Sequence, residues 1–185
     1  MLIQKIKTIC LILLLAPIWS TAQQYNFRNY GPEDGLVHAE VNQVIQDSQR
    51  FIWAATASGV SQFDGHSFKN FSSENGLSAG AVVAMAEDFE GRIWVSVLGK
   101  GIDIIDDGAI SHLELSLPSN EISAMLQTDE GMWLGTFQGA CLVDGDSIVK
   151  TLTAEDGLSA NNVHSIFQDS NGSIWFGTFG GGISK

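Results

Sequence analysis

The chain of 185 residues is acidic, with 21 Asp and Glu against 9 Lys and Arg and a net charge of −12 at pH 7. This charge argues against binding to nucleic acid or to anionic membrane surfaces, because both require a positive protein face. Hydrophobic residues make up 44% of the sequence, which is enough for a packed core.

The first 22 residues have the pattern of a secretory signal peptide. Two lysines precede an apolar run at 9–15, and small residues follow at 20–22. We therefore predict cleavage after Ala22 and a mature chain of residues 23–185 that is periplasmic or secreted. The alternative, a membrane anchor, is disfavoured because the apolar run is too short to span a bilayer and Pro17 prevents its extension as a regular helix.

The mature chain opens with a segment that resembles the end of a repeat. Residues 25–36 align without a gap with residues 66–77, so that Phe27 corresponds to Phe68. We predict that residues 25–30 form an orphan outer strand, the last strand of a repeat whose earlier strands are absent.

Four similar segments follow at intervals of about 40 residues, at about 41–78, 82–120, 121–159 and 162–185. Each carries one tryptophan, and these tryptophans are 41, 39 and 42 residues apart. Three of the segments have an aspartate six residues before the tryptophan. The recurring positions are Trp53, Trp94, Trp133, Trp175, Asp47, Asp88, Asp169, Gly91, Gly131 and Gly172. Repeats of this length are typical of stacked supersecondary units.

Each complete segment is predicted to hold four short strands, with turn signals every 8 to 12 residues. In the first segment the strands are expected at 41–46, 51–56, 59–63 and 66–71, and Asp64-Gly65 is a two-residue hairpin signal. The fourth segment reaches only the start of its third strand. Because no stretch sustains a period of 3.6 residues, helix is expected only in the signal peptide.

Four antiparallel strands per repeat, with tryptophan on the second strand, predict an all-β fold built of β-propeller blades. Tryptophan is large enough to fill the gap of about 10 Å between neighbouring sheets. A closed ring needs about 4 to 8 blades. Because the chain holds about three and a half to four, we predict an open partial propeller over 23–185. The alternative is a four-bladed ring closed by residues 25–30.

The repeats also resemble a known family. Residues 163–182 follow Val-x-x-Ile-x-x-Asp-x-x-Gly-x-Ile-Trp-x-Gly-Thr-x-x-Gly-Gly, and the connectors at 76–78 and 157–159 read Gly-Leu-Ser. This pattern resembles the two-component regulator propeller repeat. Three residues depart from the pattern. Arg50 stands in place of the turn glycine, Val97 in place of the threonine, and Thr128 in place of the aspartate of the third repeat.

The resemblance implies the extracytoplasmic ligand-sensing input region of a two-component signal transduction sensor, as found in Bacteroidetes. In that family a membrane helix and a histidine kinase follow the propeller, so this chain is expected to be an N-terminal fragment truncated before both. The implied partners are a poly- or oligosaccharide-derived ligand and further propeller blades or downstream sensor domains. The sequence leaves open a second function, a secreted β-propeller scaffold for protein or glycan interaction without signalling.

No residue is assigned to catalysis, to a cofactor, to a metal or to the ligand, and no enzyme activity is expected. The four histidines lack partners at metal-ligand spacing. The recurring aspartates suit the capping of a turn better than calcium binding. A glycosidase needs two positioned carboxylates, and the sequence singles out no such pair. Cys141 lies in an apolar strand pattern, which favours a buried, unreactive thiol.

Overall fold

The computed structural model describes residues 25–185, and the predicted signal peptide lies outside the described residues. Within this range fifteen strands form four antiparallel sheets, three of four strands and one of three. In every sheet the strands are hydrogen-bonded in chain order, as in the blades of a propeller. The all-β prediction is therefore confirmed.

The strands of each blade follow one another through short turns. Blade 1 comprises β1 (Val41–Gln46), β2 (Ile52–Thr56), β3 (Gly59–Phe63) and β4 (Phe68–Phe71). Blade 2 comprises β5 (Val82–Glu87), β6 (Ile93–Val97), β7 (Gly101–Asp106) and β8 (Ala109–Leu113). Blade 3 comprises β9 (Ile122–Thr128), β10 (Gly131–Thr136), β11 (Gly139–Asp144) and β12 (Ser147–Leu152). Blade 4 comprises β13 (Val163–Gln168), β14 (Ile174–Thr178) and β15 (Gly182–Ser184).

The turn between β3 and β4 is longer than the sequence predicts. The carboxylate of Asp64 accepts the backbone N–H groups of His66 and Ser67, both at 2.7 Å. These bonds hold residues 64–67 outside the sheet, so β4 begins at Phe68 and not at His66. Backbone donation by Ser67, followed by that of His66, lowers the pKa of Asp64. The two-residue hairpin does form in blade 2, where Asp107 and Gly108 both have positive φ.

Three short 3₁₀ turns are the helical elements of residues 25–185, and the sequence did not predict them. They lie at Pro32–Asp34, Ser73–Asn75 and Ala154–Asp156, just before the Gly-Leu connectors of blades 1, 2 and 4. Each ends at a glycine in the left-handed conformation, as at Gly76 with φ 106°. The side chain at the third helical position bonds back to the capping backbone, for example Asn75 Oδ1 with Ser72 N at 2.7 Å.

The blades stack through their first strands and through three shared apolar cores. The strands β1, β5, β9 and β13 contact one another in sequence, so they lie innermost. The largest residues of the cores come from the tryptophan-bearing strands, with Trp53 between blades 1 and 2 and Trp133 between blades 3 and 4. Side-chain hydrogen bonds cross each interface near the inner strands, including Ser123 Oγ to Val163 O at 2.6 Å. Burial on both faces makes the middle blades the core of the molecule.

The array is open, as the sequence predicts. Four blades share three cores, and the outer faces of blades 1 and 4 expose large apolar side chains. Val44 on blade 1 is 58% exposed, and Phe167 and Ile183 on blade 4 are 65% and 69% exposed. In a closed ring these faces would pack against each other.

The predicted orphan strand at 25–30 is absent, because these residues have no sheet partner in the open array. Tyr25 and Phe27 are exposed. Tyr30 packs on blade 1 instead, with its ring centroid 4.9 Å from that of Phe63. Residues 25–36 therefore lead into blade 1 without forming an outer strand. Within residues 25–185 we find no helix of the length and hydropathy that crossing a bilayer requires.

Candidate functional site

The same pair of side chains recurs in blades 1, 2 and 4, buried in blades 1 and 2 and half-buried in blade 4. The indole Nε1 of tryptophan donates a hydrogen bond to Oδ2 of the aspartate six residues before it. The distances are 2.7 Å for Trp53 and Asp47, 2.8 Å for Trp94 and Asp88, and 2.8 Å for Trp175 and Asp169. We call this contact the Asp–Trp pair. It joins the turn after the first strand to the core of the blade.

The other carboxylate oxygen caps the turn, as the sequence predicts. Oδ1 of Asp88 accepts the backbone N–H groups of Glu90 at 3.0 Å and Arg92 at 2.9 Å. The Arg92 guanidinium also donates to Asp88 Oδ2 at 2.7 Å. In blade 4, donation by the Trp175 indole is the main cause of a lowered pKa at Asp169. The donors around Asp169 therefore favour its charged form.

Blade 3 keeps its tryptophan and loses the pair. Thr128 stands at the aspartate position, and its hydroxyl donates to the carbonyl of Gly131 at 3.0 Å. The turn is one residue shorter than in the other blades, because Gly131 pairs directly with Thr128 in the strand ladder. Trp133 is only 3% exposed, and its Nε1 has no hydrogen-bond partner among residues 25–185. A buried donor without an acceptor is uncommon in folded proteins.

A second recurring contact ties each Gly-Leu connector to the third strand of the blade after it. The residue after the leucine donates its backbone N–H to a side chain on that strand. The contacts are Val37 N to Ser61 Oγ at 2.9 Å, Ser78 N to Asp103 Oδ2 at 2.6 Å and Ser159 N to Ser184 Oγ at 2.8 Å. We call this the connector contact.

Blade 3 also lacks the connector contact, and its third strand is apolar where the acceptor would be. The equivalent position is Cys141, which is fully buried and has a pKa raised to about 12 by burial. The preceding connector, residues 114–120, has no Gly-Leu turn. The prediction that Cys141 is buried is confirmed, and no connector N–H approaches this position.

Blade 2 carries the most polar version of the connector contact. Asp103 is 2% exposed and accepts hydrogen bonds from Ser78 N and Ser78 Oγ, and its Oδ1 lies 2.6 Å from His112 Nδ1. The hydrogen bond to Asp103, together with its negative charge, raises the pKa of His112. The Ser78 hydroxyl points to the carboxylate and reaches the same ring nitrogen, so the three groups do not form the relay that activates a serine nucleophile.

The glycine positions of the turns show why the sequence pattern selects glycine. Gly91 and Gly172 both have φ 82°, in the left-handed region. Arg50 takes the same position in blade 1 with φ 74°, which costs an L-residue about 1–2 kcal/mol. At Gly131, with φ 129°, a Cβ would also clash with the carbonyl of Val143.

Sequence reasoning placed the aspartates in turns and missed their bond to tryptophan. The signal was present, since the spacing of six residues is constant in three repeats and changes only where Thr128 replaces aspartate. It also missed the connector contact, whose signal is a polar residue inside an apolar third strand. Among residues 25–185 no group of three or more His, Cys, Asp or Glu side chains is placed to hold a metal ion.

Two segments of the chain match the family model described as "Two component regulator propeller", at residues 116–138 and 157–180. Each match covers a connector and the first two strands of a blade, in blades 3 and 4. These two segments are similar to the two-component regulator propeller repeat. The resemblance drawn from the sequence is thus confirmed.

Solved structures share this fold at low sequence identity. The extracellular domain of the one-component system BT4673 of B. thetaiotaomicron is 20% identical with a TM-score of 0.67, over 78% of this chain and 23% of that one. The extracellular domain of the hybrid two-component system BT3049 of the same organism is 21% identical with a TM-score of 0.62. The match covers 87% of this chain and 29% of that one. A virginiamycin B lyase from Staphylococcus aureus is 20% identical with a TM-score of 0.63, over 88% and 58%.

These likenesses establish the propeller fold. The chain spans about a quarter of the length of the two B. thetaiotaomicron domains. The fold is shared by extracellular domains of one- and two-component systems and by a lyase, so fold alone does not assign an activity. No curated protein matches the chain significantly.

Proposed function

We propose that the chain is the extracytoplasmic ligand-sensing input region of a two-component signal transduction sensor. The observation that carries this proposal is the pair of matches to the two-component regulator propeller at residues 116–138 and 157–180. The shared fold with extracellular domains of B. thetaiotaomicron sensor systems supports it. In this role the chain binds a ligand and carries no kinase chemistry of its own.

The proposed location is the periplasm or the cell exterior. The sequence of residues 1–22 supports export, and the acidic balance of 21 acidic to 9 basic residues suits a soluble exported domain. The solved relatives with this fold that belong to sensor systems are extracellular domains. The ligand class we propose is a poly- or oligosaccharide-derived molecule.

The proposed partners are further propeller blades or downstream sensor domains. The uncovered faces of blades 1 and 4 support this, because Val44, Phe167 and Ile183 are large apolar residues exposed on these faces. Exposed apolar side chains of this size favour packing against another surface. A blade added to either face would bury it in the same way that blade 3 buries the face of blade 2.

The test is to read the gene past codon 185 and then to assay the intact product. The proposal predicts further propeller repeats, a membrane-spanning segment and a histidine kinase in the same reading frame. In cells, adding oligosaccharides from a digested polysaccharide should raise phosphorylation of that kinase, and deletion of residues 41–185 should abolish the response. A stop codon with no kinase in the reading frame contradicts the proposal and favours the secreted scaffold.

A further inference from the structure

The core between blades 1 and 2 shows how one blade covers the next. Blade 1 contributes Trp53, Val60 and Phe71, which lie on its second, third and fourth strands. The ring of Phe71 stacks on that of Trp53, with the two centroids 5.6 Å apart. The residues that cover this face come from the connector and the first two strands of blade 2, and include Leu77, Val82, Met85 and Ile93.

The uncovered faces of blades 4 and 1 carry the two halves of the same interface. On blade 4, Phe167 pairs with Trp175 as Ile45 pairs with Trp53, and Ile45 packs against the core between blades 1 and 2. On blade 1, the residues at the positions of the covering side chains of blade 2 are Leu36, Val41, Val44 and Ile52. The last three of these are exposed. The two faces therefore match each other as those of blades 1 and 2 do.

Residues 25–30 have the sequence of the outer strand of such an interface. Residues 27–30 align with β4, and the connector after them has the structure of the connector after β4. It forms the 3₁₀ turn at Pro32–Asp34, and Val37 makes the connector contact to blade 1. Tyr25 and Phe27 are exposed. The segment is thus placed to serve as the outer strand of a blade that lies before blade 1.

We propose that a second copy of this chain supplies that blade. Residues 25–30 of one copy pair with the outer edge of β15 in the other copy, an edge that carries no strand among residues 25–185. Blade 1 of the first copy then covers blade 4 of the second. This contact is head-to-tail, and two copies close a ring by making it twice. Two arcs of four blades give eight, within the range of about 4 to 8 that closes a propeller.

The strand ladder of blade 1 gives the register of the contact. There Asn70 lies opposite Ser61, and the Ser61 hydroxyl donates to Asn70 Oδ1 at 2.6 Å. The equivalent pair across the two copies is Asn29 and Ser184. Ser184 already accepts a connector N–H, as Ser61 does, and its hydroxyl hydrogen is then donated to Asn29. The edge of β15 therefore presents the same polar partner that β3 presents to β4.

Lys185 is the residue that the contact must move. Its Nζ lies 5.1 Å from the centroid of the Trp175 ring and 4.0 Å from Asp169 Oδ2. In the second copy's register Tyr30 takes its place over Trp175, and Arg28 stands opposite Lys185. Like charges directly opposite are unfavourable, although salt screens them at this exposed edge. The contact should therefore tighten as the salt concentration rises, and Arg28→Glu should tighten it by about threefold at low salt.

The first test is sedimentation equilibrium of the mature chain, residues 23–185, for which we expect a dimer. Phe167→Glu places a charge on the uncovered face of blade 4 and should weaken the dimer by about tenfold or more. Phe89→Glu is the matched control, because Phe89 is equally a large exposed residue but lies in the turn between β5 and β6. Its dimer should be as tight as that of the wild type.

The second test is a disulfide between copies. Asn29→Cys and Ser184→Cys place two thiols opposite each other across the contact, at a separation that suits a disulfide. Cys141 is fully buried and does not compete. A mixture of the two single variants should give a disulfide-linked dimer under mild oxidation. A mixture of Asn29→Cys with Ser111→Cys, an exposed position on blade 2, should not.

The proposal is overturned if the mature chain is monomeric or forms assemblies larger than a dimer. It is also overturned if Phe167→Glu dimerises as tightly as Phe89→Glu. In the double variant Asn29→Cys and Ser184→Cys, a disulfide within one chain would show that the arc closes on itself and would exclude the second copy. The contact does not depend on the signalling role proposed above, which is tested separately by the reading frame past codon 185.

Discussion

Blades 2 and 3 have the same strand order and lie side by side, yet they hold their turns and connectors in different ways. Blade 2 uses two buried carboxylates, Asp88 in the Asp–Trp pair and Asp103 in the connector contact. Blade 3 has Thr128 and Cys141 at these positions. The tryptophans are nevertheless equally buried, with Trp94 4% and Trp133 3% exposed.

The comparison shows that packing between blades is enough to bury the tryptophan. The polar contacts are not required for that burial. Trp133 reaches the same depth without its acceptor, because its core with Leu142, Val163 and Phe176 is complete. The polar contacts instead fix the turn and the connector, which have little apolar surface of their own. Blade 3 lacks both contacts. Its turn is one residue shorter, and the connector before it has no Gly-Leu turn.

The largest expected effect comes from comparing the same position in the two blades. Asp88→Ala leaves the Trp94 indole, two backbone N–H groups and Arg92 without their acceptor. We expect it to lower the free energy of unfolding by about 3 kcal/mol, against about 1 kcal/mol for Thr128→Ala. Urea unfolding of both variants measures the difference. Equal losses would mean that the Asp–Trp pair contributes nothing beyond a local turn.

The connector contact gives the second comparison. Asp103→Ala removes the acceptor of Ser78 N, Ser78 Oγ and His112, and we expect a loss of about 2 kcal/mol. Cys141→Ala removes only a buried sulfur and should cost about 1 kcal/mol. The same urea titrations measure both values. A greater loss at Cys141 than at Asp103 would contradict the role given to the connector contact.

A pH dependence should separate blade 2 from blade 3. Because Asp103 raises the pKa of His112 above its unfolded value, the His112–Asp103 contact stabilises the fold fully below about pH 6.5. That contribution is lost as the pH rises through the folded pKa. The advantage of the wild type over His112→Gln in urea midpoint should therefore be present at about pH 5.5 and shrink above neutrality.

The control is Thr151→Val, since Thr151 pairs with Cys141 as His112 pairs with Asp103. Its effect on the urea midpoint should not vary over the same pH range. A difference between wild type and His112→Gln that is flat from acid to alkaline pH would exclude the charged contact.

The smallest effect concerns the turn glycine. Arg50→Gly relieves a positive φ of 74° in blade 1 and should raise the free energy of unfolding by about 1 kcal/mol. Gly91→Ala places a Cβ at φ 82° in blade 2 and should lower it by about 1 kcal/mol. Thermal unfolding measures both. Destabilisation by Arg50→Gly would show that the arginine side chain makes a contact that outweighs the strain.

Much of the fold could be predicted from the sequence because the repeats share one sequence pattern. The tryptophans, the turn glycines and the strand spacing recur, so errors in one repeat are corrected by the others. The 3₁₀ turns escaped prediction because three residues are too few to show a helical period. The prediction of a strand at 25–30 was wrong. The sequence of this segment is compatible with a strand, but a strand also requires a neighbouring strand to pair with, and these residues have none.

The sites were harder to predict, because they depend on distances between repeats. The constant spacing between Asp88 and Trp94 was visible, but the bond between them requires the indole to reach back toward the turn. The partnerless Trp133 could be recognised only by comparison with the other three indoles. A cavity of about 340 Å³ lies beside Trp133 between blades 3 and 4, and no single repeat contains it.

The most direct test is the ¹H–¹⁵N spectrum of the indole groups in the mature chain, in a buffer free of carboxylates and with assignment by Trp→Phe substitution. We predict that the Trp53 and Trp94 N–H signals lie downfield and move upfield in Asp47→Asn and Asp88→Asn respectively. The Trp133 signal should lie upfield of both and be unmoved by either substitution. A Trp133 signal as far downfield as that of Trp94 would contradict the central claim that blade 3 lacks the acceptor.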